Sequence, residues 1–318
     1  MQSVSLQEIY KLLGWGDLGL VFELSDHIAL KYAIAHGDPR FENENRIFDI
    51  LERHAPCPHI VYSFLRVPNL NFMQRLSGGN LEMRLRSRQS RNPATGQVVA
   101  CTTEPEPLIL RWAKELAMAA AWLESLGLAH ADIRPANLLL DAEDHLKLAD
   151  FDNTQAIGTD VEVGTAPYCR VLGDEAGDLR GYFGLLGPRT EQFAIGSVFY
   201  YMVKGYEPYD DQWFGEEHGP ITVDKLQNME FPHWDPNDMK ERVIRDCWYG
   251  KFDCIEDLAK TIGTLGSQNE VLGQVLTSDF IESRREECRQ YMTTLGAGPR
   301  PLVHHDLEMP AENGVDSD

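Results

Sequence analysis

Two short apolar runs, Leu138–Leu140 and Leu146–Leu148, stand on either side of the polar stretch Asp141-Ala142-Glu143-Asp144. Runs this short, bounded by turn formers, read as a hairpin of two strands. Its return arm would set Asp150 beside Asn137. Nearer the amino terminus, Leu12-Leu13, Val21-Phe22-Glu23-Leu24 and Ile28-Ala29-Leu30-Lys31 have the alternation of strands, the last two joined by a tight turn at Ser25-Asp26. The period then changes. In 41–53, Phe41, Ile47, Phe48 and Leu51 fall on one helical stripe. In 108–126, Ile109, Trp112, Ala113, Leu116, Ala120 and Leu123 do the same, with Gly127 as the stop signal. A further helix runs from a cap at Thr190 through Glu191-Gln192-Phe193 to Val203 and closes at Gly205.

The polar positions around the first hairpin carry a chemistry. Asp132 and Asn137 share the loop ahead of it and Asp150 follows it, in HADIRPANLLLDAEDHLKLADFDN. An aspartate can accept a hydroxyl proton while an amide oxygen and a second carboxylate hold magnesium, which takes hard oxygen ligands. The arrangement reads as a phosphate-transfer site. Gly14, Gly16 and Gly19, followed by Val21, make GxGxxGxV. With 26 glycines in 318 residues, that spacing alone marks a hairpin turn as readily as a phosphate cradle. A dinucleotide-binding fold would need a helix after the glycines, and strands follow instead.

Together these segments resemble the eukaryotic protein kinases. The family's HRDxxxxN and DFG stand here as His130-Ala131-Asp132 with Asn137, then Asp150-Phe151-Asp152. Its VAIK strand is similar to Ile28-Ala29-Leu30-Lys31, and its GTxxY segment to Gly164-Thr165-Ala166-Pro167-Tyr168. The likeness covers roughly residues 10 to 265, and the wording of 187–202 is similar to small kinase-like proteins found in fungi. It implies an α+β fold of two lobes, 1–75 a β-rich lobe with Gly-rich loop, lysine strand and helix C and 76–293 the hinge and a helical lobe, while the Pro-, Gly- and acid-rich composition of 294–318 reads as a disordered acidic tail. The residues His59-Ile60-Val61 and 70–76 then become the fourth and fifth strands.

The resemblance also implies ATP and Mg2+ as cofactors and assigns roles. Asp132 is the catalytic base, Arg134 replaces the catalytic-loop lysine, Lys31 pairs the α and β phosphates, and Glu44 of helix C holds Lys31. Glu42 is the alternative to Glu44, and both would otherwise be a solvated helix edge. Gly14, Gly16, Gly19, Val21, Ala29, the gatekeeper Met73, the backbones of Gln74 and Leu76, Asn80 and Leu139 meet the nucleotide. Asn137 and Asp150 take the metal. Thr165-Ala166-Pro167 and Pro135 resemble serine/threonine kinases, so the expected activity is phosphoryl transfer to Ser or Thr of a protein substrate.

Four departures from the family pattern bear on that expectation. Asp152 replaces the glycine of DFG, where a second carboxylate either aids metal binding or misplaces Asp150. Arg170-Val171-Leu172 stands in place of APE, and the arginine that pairs with its glutamate has no counterpart near Cys247-Trp248, where Lys251 is the nearest base. Glu191 takes the place of an Asp that ties down the catalytic loop. Ala131 replaces the arginine that receives an activation-loop phosphate, and 150–163 contains Asp152, Asp160 and Glu162 but no Lys or Arg. Activity is therefore expected to be constitutive or set by a regulatory partner, not switched on at Thr154 or Thr159. A nucleotide-binding pseudokinase scaffold is one alternative. A small-molecule phosphotransferase of the aminoglycoside kinase type is another, against which the GTxxY segment, the Gly-rich loop and Glu230-Phe231-Pro232 count.

Composition narrows the partners. A formal charge of -21 repels phosphate backbones, so neither nucleic acid nor an anionic membrane is expected as partner. Six cysteines without a CxxC pair fit a reducing compartment, cytoplasmic or nuclear. The first fifteen residues have no long apolar core and read as neither signal peptide nor anchor. Arg84, Arg86, Arg88 and Arg91 form a basic cluster running into the turn at Asn92-Pro93, read as a solvated helix end and loop, or a dock for an acidic partner.

Overall fold

The computed structural model describes residues 6–266 and 273–295. The chain begins with α1 (Leu6–Ile9), β1 (Lys11–Trp15), β2 (Gly19–Glu23), β3 (Ile28–Ala33), α2 (Pro39–Leu51), β4 (Ser63–Val67) and β5 (Leu70–Gln74). It continues with α3 (Leu81–Arg86), β6 (Gln89–Arg91), β7 (Val98–Cys101), α4 (Glu106–Ser125), β8 (Leu128–Ala129), β9 (Leu138–Leu140), β10 (Leu146–Leu148) and β11 (Gln155–Ala156). The last helices are α5 (Pro188–Lys204), α6 (His218–Gln227), α7 (Met239–Trp248), α8 (Ile255–Gly263) and α9 (Ser278–Leu295). Two compact units result, one from residues up to Asn45, Tyr62–Arg75 and from Thr277 on, the other from Arg46–Val61 and Leu76–Leu276.

The first unit is an antiparallel sheet in the order β1-β2-β3-β5-β4. Phe22 lies opposite Leu30 and Leu30 opposite Phe72, and all three are fully buried. Because side chains alternate across a strand, the other face carries Val21 opposite Lys31 and Ala29 opposite Met73. The fourth strand differs from expectation. It is β4, whereas His59-Ile60-Val61 belongs to the second unit, with a single parallel bridge from Ile60 to Leu148. Polar bonding hid β4 from an apolar-pattern reading: Ser63 Oγ donates to Asn71 Oδ1 at 2.6 Å and Arg66 Nη1 to Ser63 Oγ at 3.0 Å. The sequence reading also gave everything from 76 to 293 to the larger part, yet α9 groups with the sheet. Arg285 Nε donates to Phe64 O at 3.1 Å, Tyr291 Oη to Leu24 O at 2.9 Å, and Phe280 meets the His27 ring edge-on at 5.5 Å. The acidic tail lies, from 296 on, outside the described residues.

The second unit is built on buried helices. Trp112, Leu116, Ala117 and Leu123 of α4 are fully covered. Where α5 crosses α7, a Cβ on Gly196 would sit 2.6 Å from Cys247 Cβ, so only glycine permits the approach. The expected cap of α5 moves: Gly187 is the N-cap and Thr190 reaches back, accepting Gly187 N–H at 3.1 Å and donating to Gly187 O at 2.9 Å. Pro188 at the first helical position fixes the entry. The hairpin falls as expected, Leu138 opposite Leu148 and Leu140 opposite Leu146. Asp141 Oδ1 closes its turn by accepting from Glu143 N at 3.0 Å and His145 N at 2.8 Å. The basic cluster is a helix end and turn as expected for Arg84, Arg86 and Arg88, but it is not a free patch. Arg91 ends β6, which pairs with β7, and each arginine has a carboxylate: Arg84 and Arg88 share Glu104, Arg86 meets Glu82, and Arg91 meets Asp210. Among the described residues no helix is long and apolar enough to cross a membrane.

One buried polar cluster ties α4 to β10 and to the segment after α2. Glu115 is fully buried and accepts from His145 Nδ1 and Leu146 N, each at 2.7 Å. His59, also fully buried, has its Nδ1 4.0 Å from Glu115 Oε1. Burial first, then the positive neighbours Lys147, His145 and Lys114, push the His59 pKa down from 6.5 to about 4. A depressed histidine favours the fold above pH 6.5 and loses that contribution as pH falls through about 4. The expected loss is at most about 3 kcal/mol. It is read as the difference between wild type and His59→Phe in chemical denaturation across that window; parallel curves would refute it.

Candidate functional site

In the first unit the Gly-rich turn joins β1 to β2, closed by Gly16 N–H to Gly19 O at 3.0 Å. The three glycines are not equivalent. A Cβ would meet nothing at Gly14 or Gly16, but at Gly19 it would stand 2.6 Å from Tyr32 O. Gly19 is therefore required by packing on β3, and the first two leave the turn open and its backbone accessible. Val21, Ala29, Lys31 and Met73 share one face of the sheet, as the register above requires. Lys31 Nζ lies 2.9 Å from Glu44 Oε2, with side chains 10% and 1% exposed. Glu44, not Glu42, is thus the partner of the lysine. Gln74 donates its N–H to Tyr62 O at 2.7 Å, so its carbonyl is the backbone group that could serve a ligand.

In the second unit the loop after β8 holds Asp132, Arg134 and Asn137. Asn137 Nδ2 donates to Asp132 O at 2.9 Å and to Asp132 Oδ2 at 2.8 Å, and Arg134 Nε donates to the same Oδ2 at 3.2 Å. With its nitrogen committed, Asn137 presents Oδ1. Ala149 N–H bonds Asn137 O at 2.9 Å, which brings Asp150 alongside. An amide oxygen and a carboxylate suit magnesium, and an ion that arrives with phosphates needs only one or two such protein ligands. Among the described residues no larger His, Cys, Asp or Glu group forms a metal cage. Asn80 Oδ1 accepts Met83 N–H at 2.8 Å as the cap of α3, leaving its amide nitrogen for other contacts. Asn80 also bridges to Leu139.

The loop is held from below. His130 is fully buried; its Nε2 bonds Ala149 O at 3.0 Å and its Nδ1 accepts Asp132 N–H at 3.3 Å. That pattern needs the neutral ring with its proton on Nε2, and burial lowers the His130 pKa accordingly. Glu191 Oε2 accepts His130 N–H at 2.8 Å and Oε1 accepts Ala131 N–H at 3.2 Å, so the longer side chain still reaches both amides. Ala131 and Asp150 adopt left-handed backbone, φ 66° and 67°. Asp152 does not, so the glycine freedom of DFG is not needed there; its Oδ1 accepts Asn153 Nδ2 at 3.0 Å. Phe151, fully buried, lies edge-on to Phe48 at 5.1 Å and to His130 at 5.2 Å.

Beside Asp132 opens a small cleft whose far wall is Gly164, Thr165, Tyr168 and Cys169. Contacts that the sequence reading missed fix this wall. Ser197 Oγ donates to Pro167 O at 2.7 Å and accepts Trp248 Nε1–H at 2.9 Å, and Tyr168 Oη donates to Glu207 Oε1 at 2.6 Å. A serine inside the apolar run of α5 was the available signal.

The profile of the protein kinase domain matches residues 8–257. The chain belongs to the protein kinase domain family. This kinase domain is 32% identical over 150 residues to Rho-associated protein kinase 1 of Homo sapiens, 42% of this chain and 10% of that protein. To cAMP-dependent protein kinase type 3 of Saccharomyces cerevisiae it is 25% identical over 194 residues, 57% of this chain and 44% of the relative. To serine/threonine-protein kinase MRCK gamma of Mus musculus it is 28% identical over 137 residues, 40% and 8%. The matched stretch is less than half the length of each of these relatives.

Proposed function

We propose that the chain is an ATP- and magnesium-dependent protein kinase acting on serine or threonine hydroxyls of a protein substrate. The observation that carries this reading is the hold on Asp132. Arg134 and Asn137 fix Oδ2, leaving Oδ1 to take the hydroxyl proton as the oxygen attacks the γ-phosphorus of ATP. Arg134 keeps a positive charge near the transferring phosphate. Lys31, positioned by Glu44, meets the α and β phosphates, and Asn137 with Asp150 holds magnesium. Thr165-Ala166-Pro167 and the similarity to serine/threonine-protein kinase MRCK gamma support the choice of hydroxyl. Cytoplasm or nucleus is the proposed setting.

Saturating ATP with magnesium is expected to stabilise the wild type, by about 2.7 kcal/mol at 100 times the dissociation constant. Lys31→Met should lose most of that shift. Absence of any thermal shift in the wild type overturns the nucleotide site. Radiolabel transfer separates the remaining readings: binding without transfer indicates a pseudokinase, and transfer only to small amines or alcohols a small-molecule phosphotransferase.

Regulation follows the same site. Thr154 is fully buried, with Oγ1 donating to His130 O at 3.3 Å, and Ala131 offers no cation to a phosphate. Any activity is constitutive or set by a partner. Phosphatase treatment and Thr159→Ala should each change the rate less than about threefold; a tenfold fall in either contradicts this.

A further inference from the structure

We infer that Arg170 and Glu175 are positioning residues, an ion pair that anchors the wall of the Asp132 cleft to helix α5. The inference rests on the transfer reading above. Arg170 directly follows Cys169, the last residue of that wall. Its side chain is only 6% exposed, and Nη1 donates to Glu175 Oε1 at 2.6 Å and to Val171 O at 3.3 Å. The guanidinium carbon stands 5.9 Å from the Phe193 ring centroid. Phe193 lies on α5, two residues beyond Glu191, which holds the loop amides of His130 and Ala131. One helix thus carries both the catalytic loop and, through Arg170, the opposite wall.

The stretch after Arg170 has its own attachments. Leu172 O accepts Gln227 Nε2–H at 3.1 Å, Leu172 N–H bonds Tyr182 O at 2.8 Å, and a Cβ on Gly173 would run into Gln227 O. Glu175 is therefore presented by a fixed turn. Arg189 stands near, partly buried, its own pKa lowered by burial and then by the charge of Arg170. Glu175 pairs with Arg170 and reaches Arg189 only through its charge. Burial would raise the Glu175 pKa, but the hydrogen bond and charge of Arg170 bring it below the usual carboxylate range. Removing that carboxylate alone leaves a buried cation uncompensated, whereas removing both charges does not. The pair, whose arginine stands where APE would, takes up the anchoring lost with that motif and its distant arginine.

The test is a double-mutant cycle of Glu175→Gln, Arg170→Met and the double variant, with Glu256→Gln, half of an exposed pair on α8, as control. Two readouts are used: amide exchange at Tyr168 and Cys169, whose N–H groups bond Thr165 O, and initial rates on a mixed histone preparation. In Glu175→Gln, exchange at both amides should quicken about tenfold and the KM for histone rise about tenfold, with the KM for ATP within about twofold. The double variant should return to within about threefold of wild type. Unchanged exchange in Glu175→Gln, or a double variant whose losses multiply, overturns the anchor. If the wild type transfers no phosphate, the transfer reading fails separately, and the exchange cycle alone decides for or against the anchor.

Discussion

Asp132→Asn is expected to abolish most phosphoryl transfer while leaving nucleotide affinity intact. General-base assistance contributes about 100- to 10,000-fold, and kcat should fall within that range. The substitution is nearly isosteric. The amide oxygen it introduces can still accept the Asn137 Nδ2–H now given to Asp132 Oδ2 at 2.8 Å, so the loop keeps its shape, but the proposed acceptor of the hydroxyl proton is gone. Lys31, Glu44 and Asp150 are untouched, so the thermal shift with ATP and magnesium should persist. Initial rates and the thermal shift are to be measured on the same preparation. An equal loss of both would mean that Asp132 serves structure rather than chemistry. Asp150→Ala makes the complementary comparison, since it removes a proposed metal ligand and should weaken the magnesium dependence of binding.

The placement of the polar groups was more legible in the sequence than the packing, for a physical reason. Asp132, Asn137, Asp150, Lys31 and Glu44 are polar groups at fixed separations on short elements, and local geometry carries them to their places. The hairpin of Leu138–Leu140 and Leu146–Leu148 needed only a turn former between two short leucine-rich runs. What escaped was set by partners far along the chain. Ser63 and Arg66 lie on a strand because Asn71 of the neighbouring strand satisfies the serine. Gly196 is dictated by Cys247, and Gly19 by the carbonyl of Tyr32. Arg170 looked like the loss of a motif, and its carboxylate partner five residues on belongs to no pattern of strand or helix. The acids that neutralise Arg84 and Arg88, or Arg91, are likewise visible only once the chain is folded.

Glu191 is the position where a stability effect and a rate effect should coincide. Its carboxylate is buried and accepts two backbone N–H groups. Burial comes first among the causes, offset by the amides of His130 and Ala131 and reinforced by the charges of Glu124 and Asp132, and the pKa rises from 4.5 to about 7. For an acid whose folded pKa is raised, the folded state binds the extra proton, so the associated stability is complete below pH 4.5 and is lost as pH rises through about 7. The sign is opposite to that of His59, and the two slopes overlap between pH 4.5 and 6.5. Glu191→Gln should flatten only its own. Glu191→Ala goes further, since it orphans two N–H groups at about 1–3 kcal/mol each and releases the left-handed backbone of Ala131. A shift of about 1 Å in the catalytic loop is worth about 100-fold in rate. The expected result for Glu191→Ala is thus a kcat about 100-fold lower with ATP binding retained, and for Glu191→Asp a smaller loss of the same kind. A kcat for Glu191→Ala within about threefold of wild type would show that the catalytic loop does not depend on this carboxylate.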